Sequence, residues 1–234
     1  TVLHYTLELN EAYVGLRYDS VITGIANQNL KHYQSQVKED LEKLDGELII
    51  KHYPTKSVSV IGLRSHIEKC IMQEKKPDVI IVDYADLLKG YGQEKRHELE
   101  GIYEDLRGMA GEYEIPVWTA SQANRSALEE DVIDASKVSE SYGKVMVADF
   151  IISLSRKIED KLAGTGRWHV IKNRFGPDGI TLPSKMNTSN GQFDIYTDTS
   201  VQGKDTQKQM DKGEEYTRQM LARKFQEINN DDFE

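Results

Sequence analysis

The stretch Val79-Ile80-Ile81-Val82-Asp83, followed at once by Tyr84 and preceded by the turn signal Lys76-Pro77-Asp78, decides the fold. Four apolar residues running into an acid read as a strand buried on both faces, the habit of a parallel sheet covered by helices. In open α/β sheets, ligands bind beyond the carboxyl ends of the strands. An acid placed there can hold a Mg²⁺ shell through water, because Mg²⁺ bound with phosphates needs only one or two protein carboxylates. Taken alone, Asp83 reads equally well as the cap of the next turn.

Working outward, Thr1-Val2-Leu3-His4-Tyr5-Thr6-Leu7 alternates and is rich in β-formers, ending in Glu8. Asn10 then caps a helix with Val14, Tyr18, Val21, Ile22 and Ile25 on one face. A polar helix with Val37, Leu41 and Leu44 inward is expected to close at Gly46, and residues 47–53 form the next strand. Val60, Leu63, Ile67, Cys70 and Ile71 keep helical spacing before the Asp83 strand. Beyond it lie a polar segment, 89–97, and a helix striped by Leu99, Ile102, Leu106, Met109 and Tyr113 that Pro116 stops. Residues 115–120 read as a strand ending at Ser121-Gln122, and 150–154 as another after a long polar stretch. Two late strands, 167–172 and 180–185, return across Phe175-Gly176-Pro177-Asp178-Gly179, with a last short one at 193–196. Trp118 and Trp168 fall within strands and are expected in the core. The fold class is therefore α/β: a mostly parallel sheet flanked by helices, with antiparallel strands added late. Residues 1–197 form the core, and 198–234 a polar helix, striped by Met220, Leu221, Phe225 and Ile228, with an acidic tip.

The 234 residues, 38% of them hydrophobic, suffice for one sizeable core. A net charge of −9 argues against a broad electrostatic nucleic-acid binder, so any such contact is local. The single cysteine, Cys70, excludes an internal disulfide framework, and the six histidines show no metal-ligand spacing. No apolar run approaches a membrane span, and a cytoplasmic protein is expected. The chain starts at Thr1, inside a strand pattern, which reads as a fragment.

Three strand-end polar groups stand out: Glu8, Asp83 and Gln122. If their strands are parallel neighbours, a carboxylate that orients water, a carboxylate for Mg²⁺ and an amide that senses phosphate converge. Those are the parts phosphoryl hydrolysis needs, since its catalysis is mainly positioning and charge stabilisation. The basic pair Lys172 and Arg174 precedes the Gly176-Pro177 turn and is placed to reach a neighbouring subunit's nucleotide. Each has a plainer reading: Glu8 favours a helix start, Gln122 ends a strand, and the basic pair solvates a hairpin face.

The segments Tyr5-Thr6-Leu7-Glu8-Leu9, Ile81-Val82-Asp83-Tyr84, Thr119-Ala120-Ser121-Gln122-Ala123-Asn124-Arg125, Ala148-Asp149 and Ile171-Lys172-Asn173-Arg174-Phe175-Gly176-Pro177 occur in one order. In that order they resemble successive motifs of the RecA-like ATPase domain of DnaB-type replicative helicases. Lys51-His52-Tyr53-Pro54-Thr55 and Val117-Trp118-Thr119-Ala120 look like the T-even phage branch. The resemblance implies that Glu8 polarises the attacking water, Asp83 is the Walker B aspartate on Mg²⁺, and Gln122 couples γ-phosphate state to DNA loops. It implies too that Lys172 and Arg174 complete the next subunit's ATP site in a hexameric ring. Residues 89–97 and 125–144 match loops that grip single-stranded DNA, with Lys89, Lys95, Arg96, Arg125, Lys137 and Lys144 as candidate phosphate contacts. A primase or helicase loader is the implied protein partner.

One departure is plain. The chain contains no Gly-rich GxxxxGK[ST] loop to cradle phosphates. The expectation is N-terminal truncation, with weak ATP binding by this chain alone and unpaired strand edges. The rivals are a RecA- or KaiC-like ATPase that does not unwind DNA, and a non-catalytic DNA-binding ring paralogue.

Overall fold

The computed structural model describes residues 1–92, 94–124, 130–137 and 142–231. The chain packs into two compact units. The first holds β1 (Val2–Thr6), α1 (Glu11–Thr23), α2 (Gln34–Glu42), β2 (Leu48–His52), α3 (Val60–Met72), β3 (Val79–Asp83), α4 (Lys95–Tyr113), β4 (Val117–Thr119) and α5 (Tyr142–Val147). The second holds β5 (Phe150–Ser155), α6 (Ile158–Ala163), β6 (Thr165–Asn173), β7 (Thr181–Asn187), β8 (Gln192–Ile195) and α7 (Val201–Asp231).

In the first unit the strands run in the order β2-β1-β3-β4, all parallel. Alternation along β1 sends Leu3 and Tyr5 to one face. There they join Ile80 and Val82 of β3, Leu63 and Ile67 of α3, and Leu99, Ile102 and Met109 of α4 in one buried core. His4 falls on the other face, where its Nδ1 meets the Tyr18 hydroxyl of α1 at 2.9 Å. Both faces are thus helix-covered, as the unbroken apolar run of β3 requires. Helix α1 begins where Asn10 Oδ1 accepts the Tyr13 N–H at 3.0 Å and ends at Gly24, whose φ of 72° is the left-handed cap conformation that glycine adopts without strain.

Two local expectations are corrected. Helix α2 closes at Lys43 in ordinary helical conformation, its N–H turned onto Asp40 and Leu41 carbonyls, so Gly46 lies in the loop beyond and caps nothing. Trp118 is not core. It is 51% exposed because β4 is the terminal strand of its sheet, pairing among the described residues with β3 alone.

The second unit is an antiparallel sheet in the order β5-β6-β7-β8. The β6–β7 return closes through Gly179 N–H to the Val170 carbonyl (2.8 Å) and Val170 N–H to the Ile180 carbonyl (2.9 Å). Trp168 stacks on Phe193 with ring centroids 5.0 Å apart. Arg167 ties the unit together: its guanidinium donates to Asp160 of α6 (2.6 Å) and to Glu214 of α7 (2.5 Å). No described helix is long and apolar enough to cross a membrane.

Candidate functional site

The carboxyl ends of β1, β3 and β4 lie side by side at one rim of the first unit. The register places Thr6 opposite Asp83, the last residue of β3, and Val82 opposite Thr119, the last of β4. Glu8, Asp83 and Gln122 therefore issue from three adjacent parallel strands.

The turn carrying Glu8 is held by its neighbours. The Thr6 hydroxyl donates to the Leu9 carbonyl (2.7 Å) and accepts the Leu9 N–H (3.3 Å). Leu7 N–H donates to the Asp83 carbonyl (2.8 Å), and the Thr55 hydroxyl donates to the Leu7 carbonyl (2.9 Å). The backbone is pinned on both sides while the Glu8 side chain stays exposed.

Asp83 is partly buried. Its charge is felt beneath it: burial holds the His4 imidazole below its ordinary value while Asp83 pulls it the other way, and burial followed by Asp83 raises the Tyr18 phenol. The buried His4 Nε2 makes no protein hydrogen bond. The Asp83–Tyr84 peptide is cis.

Two side chains lace the β4 end to the β3 end. The Thr119 hydroxyl donates to the Val82 carbonyl (2.8 Å) and accepts the Ala85 N–H (2.9 Å). Gln122, exposed, donates from Nε2 to the Tyr84 hydroxyl at 3.2 Å. The amide and the β3 carboxylate are thereby held on one short connected path.

Behind this rim sits a polar cluster that sequence reading missed. Asp86, in a short 3-10 turn (Ala85–Leu87), accepts the Tyr103 hydroxyl at Oδ1 (2.9 Å) and the Lys144 ammonium at Oδ2 (2.7 Å). Burial and the Asp86 carboxylate raise the Tyr103 phenol far above its ordinary range. The available signal was Tyr103 itself, a phenol between Ile102 and Leu106 on a buried helix stripe, where its hydroxyl needs a polar partner.

The basic candidates separate. Lys89, Lys95 and Arg96 are exposed, the last two in the first turn of α4. Lys137 is partly exposed, and its carbonyl accepts the Asn124 N–H at 2.8 Å. Arg125 lies outside the described residues. Lys144, expected to face phosphate, is instead buried, its side chain 3% exposed and paired with Asp86. Its position on a short apolar helix, Tyr142–Val147, turns it inward. Lys172 lies on β6 opposite Ile151, partly exposed, and Arg174 follows that strand, exposed, both in the second unit.

Residues 1–193 match the family described as DnaB-like helicase C-terminal domain. The chain belongs to that family. The DnaB-like domain is 27% identical over 189 residues to the DnaB-like replicative helicase of Enterobacteria phage T4, covering 75% of this chain and 40% of that protein. It is 28% identical over 128 residues to the replicative DNA helicase DnaB of Synechocystis, covering 52% of this chain and 15% of that one. The chain thus spans well under half the length of these relatives. Among solved structures, a DnaB-like replicative helicase described with its interactions with primase superposes with a TM-score of 0.69 at 20% identity, over 82% of this chain and 51% of that one. A solved ATPase domain superposes with a TM-score of 0.70 at 20% identity, over 82% and 73%. At that identity the likeness is one of fold, the RecA-like ATPase fold.

Proposed function

We propose that the DnaB-like domain hydrolyses ATP or another nucleoside triphosphate at the subunit interfaces of a homo-oligomeric, hexameric ring, and moves along single-stranded DNA as a replicative helicase. The observation that carries this reading is the parallel adjacency of β1, β3 and β4, which brings Glu8, Asp83 and Gln122 to one rim.

The residues fit the Mg²⁺ and γ-phosphate end of a nucleotide. Asp83 offers the single carboxylate that Mg²⁺ shared with phosphates requires, and no group of three or more His, Cys, Asp or Glu among the described residues forms a denser metal site. The phosphate cradle is not met by this sequence, which contains no Gly-rich loop. When bound, Mg²⁺ and the triphosphate supply the electrophile and neutralise its developing charge. Glu8 orients the attacking water and accepts its proton. Gln122, tethered to Tyr84, reports a change at the rim to the polar segment that follows it. Lys172 and Arg174 reach the site of the adjacent subunit and stabilise charge there.

Lys89, Lys95, Arg96, Arg125 and Lys137 are the proposed DNA phosphate contacts, and the positive end of α4 adds to the attraction at Lys95 and Arg96. Lys144 leaves this set, because reaching a phosphate would strand the largely buried Asp86 carboxylate. A primase or loader is the proposed protein partner.

The test is nucleotide turnover by the complete gene product with and without single-stranded DNA. Glu8→Gln and Asp83→Asn each lower turnover by about two orders of magnitude or more. Mixing Glu8→Gln with Arg174→Ala protein restores part of the rate, since mixed assemblies contain sites built from one intact half of each. Wild-type protein without turnover is a non-catalytic ring subunit. Wild-type turnover with no DNA stimulation makes it an ATPase of another kind.

A further inference from the structure

Four side chains from four separate chain segments meet behind the rim. The Lys144 ammonium donates to Asp86 Oδ2 (2.7 Å) and to Ser121 Oγ (3.1 Å), and lies 5.3 Å from the Tyr103 ring centroid. The Tyr103 hydroxyl donates to Asp86 Oδ1 (2.9 Å). Both carboxylate oxygens of Asp86 are thereby engaged, and the ammonium meets two oxygens and an aromatic face.

Fold stability alone accounts poorly for such a cluster. Taking an ammonium and a carboxylate out of water costs more than apolar packing of the same volume, so a buried ion pair is weak support for a stabilising role and its best-attested use is specifying or switching an arrangement. Its placement says what it arranges. Asp86 stands three residues beyond Asp83, and Ser121 one residue before Gln122. A single ammonium therefore bonds both chain segments that deliver the proposed Mg²⁺ carboxylate and the proposed phosphate-sensing amide.

The ammonium itself comes from α5, which in sequence directly follows the polar segment 125–141. Helix α5 packs against α4, with Gly143 beside the Glu100 side chain. Lys144 belongs to α5, so a shift of that helix moves the ammonium with it. The neck of the same segment is closed by the Asn124 N–H to Lys137 carbonyl bond.

We propose that Lys144 is a positioning residue that couples occupancy of the DNA-contacting segment to the placement of Gln122, acting through Ser121 and anchored by Asp86 and Tyr103. This rests on the Gln122 reading above and assigns the device that holds Gln122 in register with the β3 tip. A shift at the rim that draws Ser121 from the ammonium frees α5. DNA that draws α5 away releases Ser121 in turn, as reciprocity between coupled sites demands.

The test uses the complete gene product and three variants beside Gln122→Ala. Ser121→Ala keeps the ion pair and removes the hydroxyl that links it to the Gln122 segment. Asp86→Asn with Lys144→Met removes both charges together and avoids a stranded one, and Lys144→Arg is the conservative exchange. Readouts are the ratio of DNA-stimulated to basal turnover, the gain in affinity for a fluorescent oligothymidylate on adding a non-hydrolysable ATP analogue, and the thermal unfolding midpoint. Ser121→Ala and the double variant are expected to lose about tenfold in the affinity gain and to drop the stimulation ratio toward one. Ser121→Ala does so with its midpoint unmoved, and Lys144→Arg retains part of both functional readouts. Wild-type coupling in Ser121→Ala and in the double variant, whatever their midpoints, overturns the proposal and leaves the cluster structural. Wild-type coupling in Gln122→Ala overturns the underlying reading of Gln122, a result distinguishable from the first, in which Gln122→Ala loses coupling while Ser121→Ala and the double variant keep it.

Discussion

Tyr103 shows how one atom acts at the residue scale. Its hydroxyl is buried and donates to a carboxylate, a charge-assisted bond stronger than a neutral one. Tyr103→Phe keeps the ring in the core and strands one oxygen of Asp86, so urea unfolding should show a loss of about 2 kcal/mol. His66 makes a second case. Burial first, then the nearby Lys51 and Lys69 charges, hold its imidazole below the ordinary value. The unfolded chain therefore takes up a proton that the native state refuses. The stability this represents is present above the ordinary value of about 6.5 and is lost as pH falls toward the depressed native one. The midpoint of thermal unfolding should drop between pH 7.5 and pH 5.5 by less in His66→Gln than in the parent protein. Asp83 and Gln122 were legible as residues because each ends an apolar run. Lys144 was misread, since a lysine in a polar stretch carries no local sign of burial.

At the scale of elements, the two sheets differ in what holds them. β1 to β4 share one apolar core with α3 and α4, so hydrophobic periodicity announced them. The α6–β6–α7 assembly depends on charge. Asp160, 2% exposed, accepts from the Lys157 N–H (2.9 Å), the Thr165 hydroxyl (3.0 Å) and Arg167 (2.6 Å), and Glu214 of α7 joins through Arg167. Arg167→Met leaves an uncompensated buried carboxylate, and chemical denaturation should register about 3–5 kcal/mol of destabilisation. Replacing a surface pair such as Lys38 and Glu42 by alanines should cost a small fraction of that. None of this network was legible in sequence, because its members run from Lys157 to Glu214 with no local pattern that pairs them.

At the scale of the whole molecule, a net charge of −9 confines the proposed DNA binding to local basic segments. The logarithm of affinity for single-stranded DNA should fall with that of salt with a slope of about −0.7 for each phosphate neutralised. Removing Lys89, Lys95 and Arg96 together should flatten that slope, measured by anisotropy across a salt series. Lys144→Met should leave the slope unchanged, because a buried ammonium releases no counterion from DNA.

The amino-acid order by itself determined the fold class, the strand ends and the family, because apolar runs closed by acids, caps and turns are local patterns that survive without neighbours. The helix-cap error at Gly46 and the exposure of Trp118 mark the limits of that reading: helix ends answer to the bonds of their last turn, and burial depends on a strand's place in its sheet. Only the tertiary structure decided that β1, β3 and β4 are parallel neighbours, so that Glu8, Asp83 and Gln122 share a rim, and that Lys144 points inward to Asp86. Strand order and the partner of a buried charge are set by segments far apart in the chain, and packing alone brings those together.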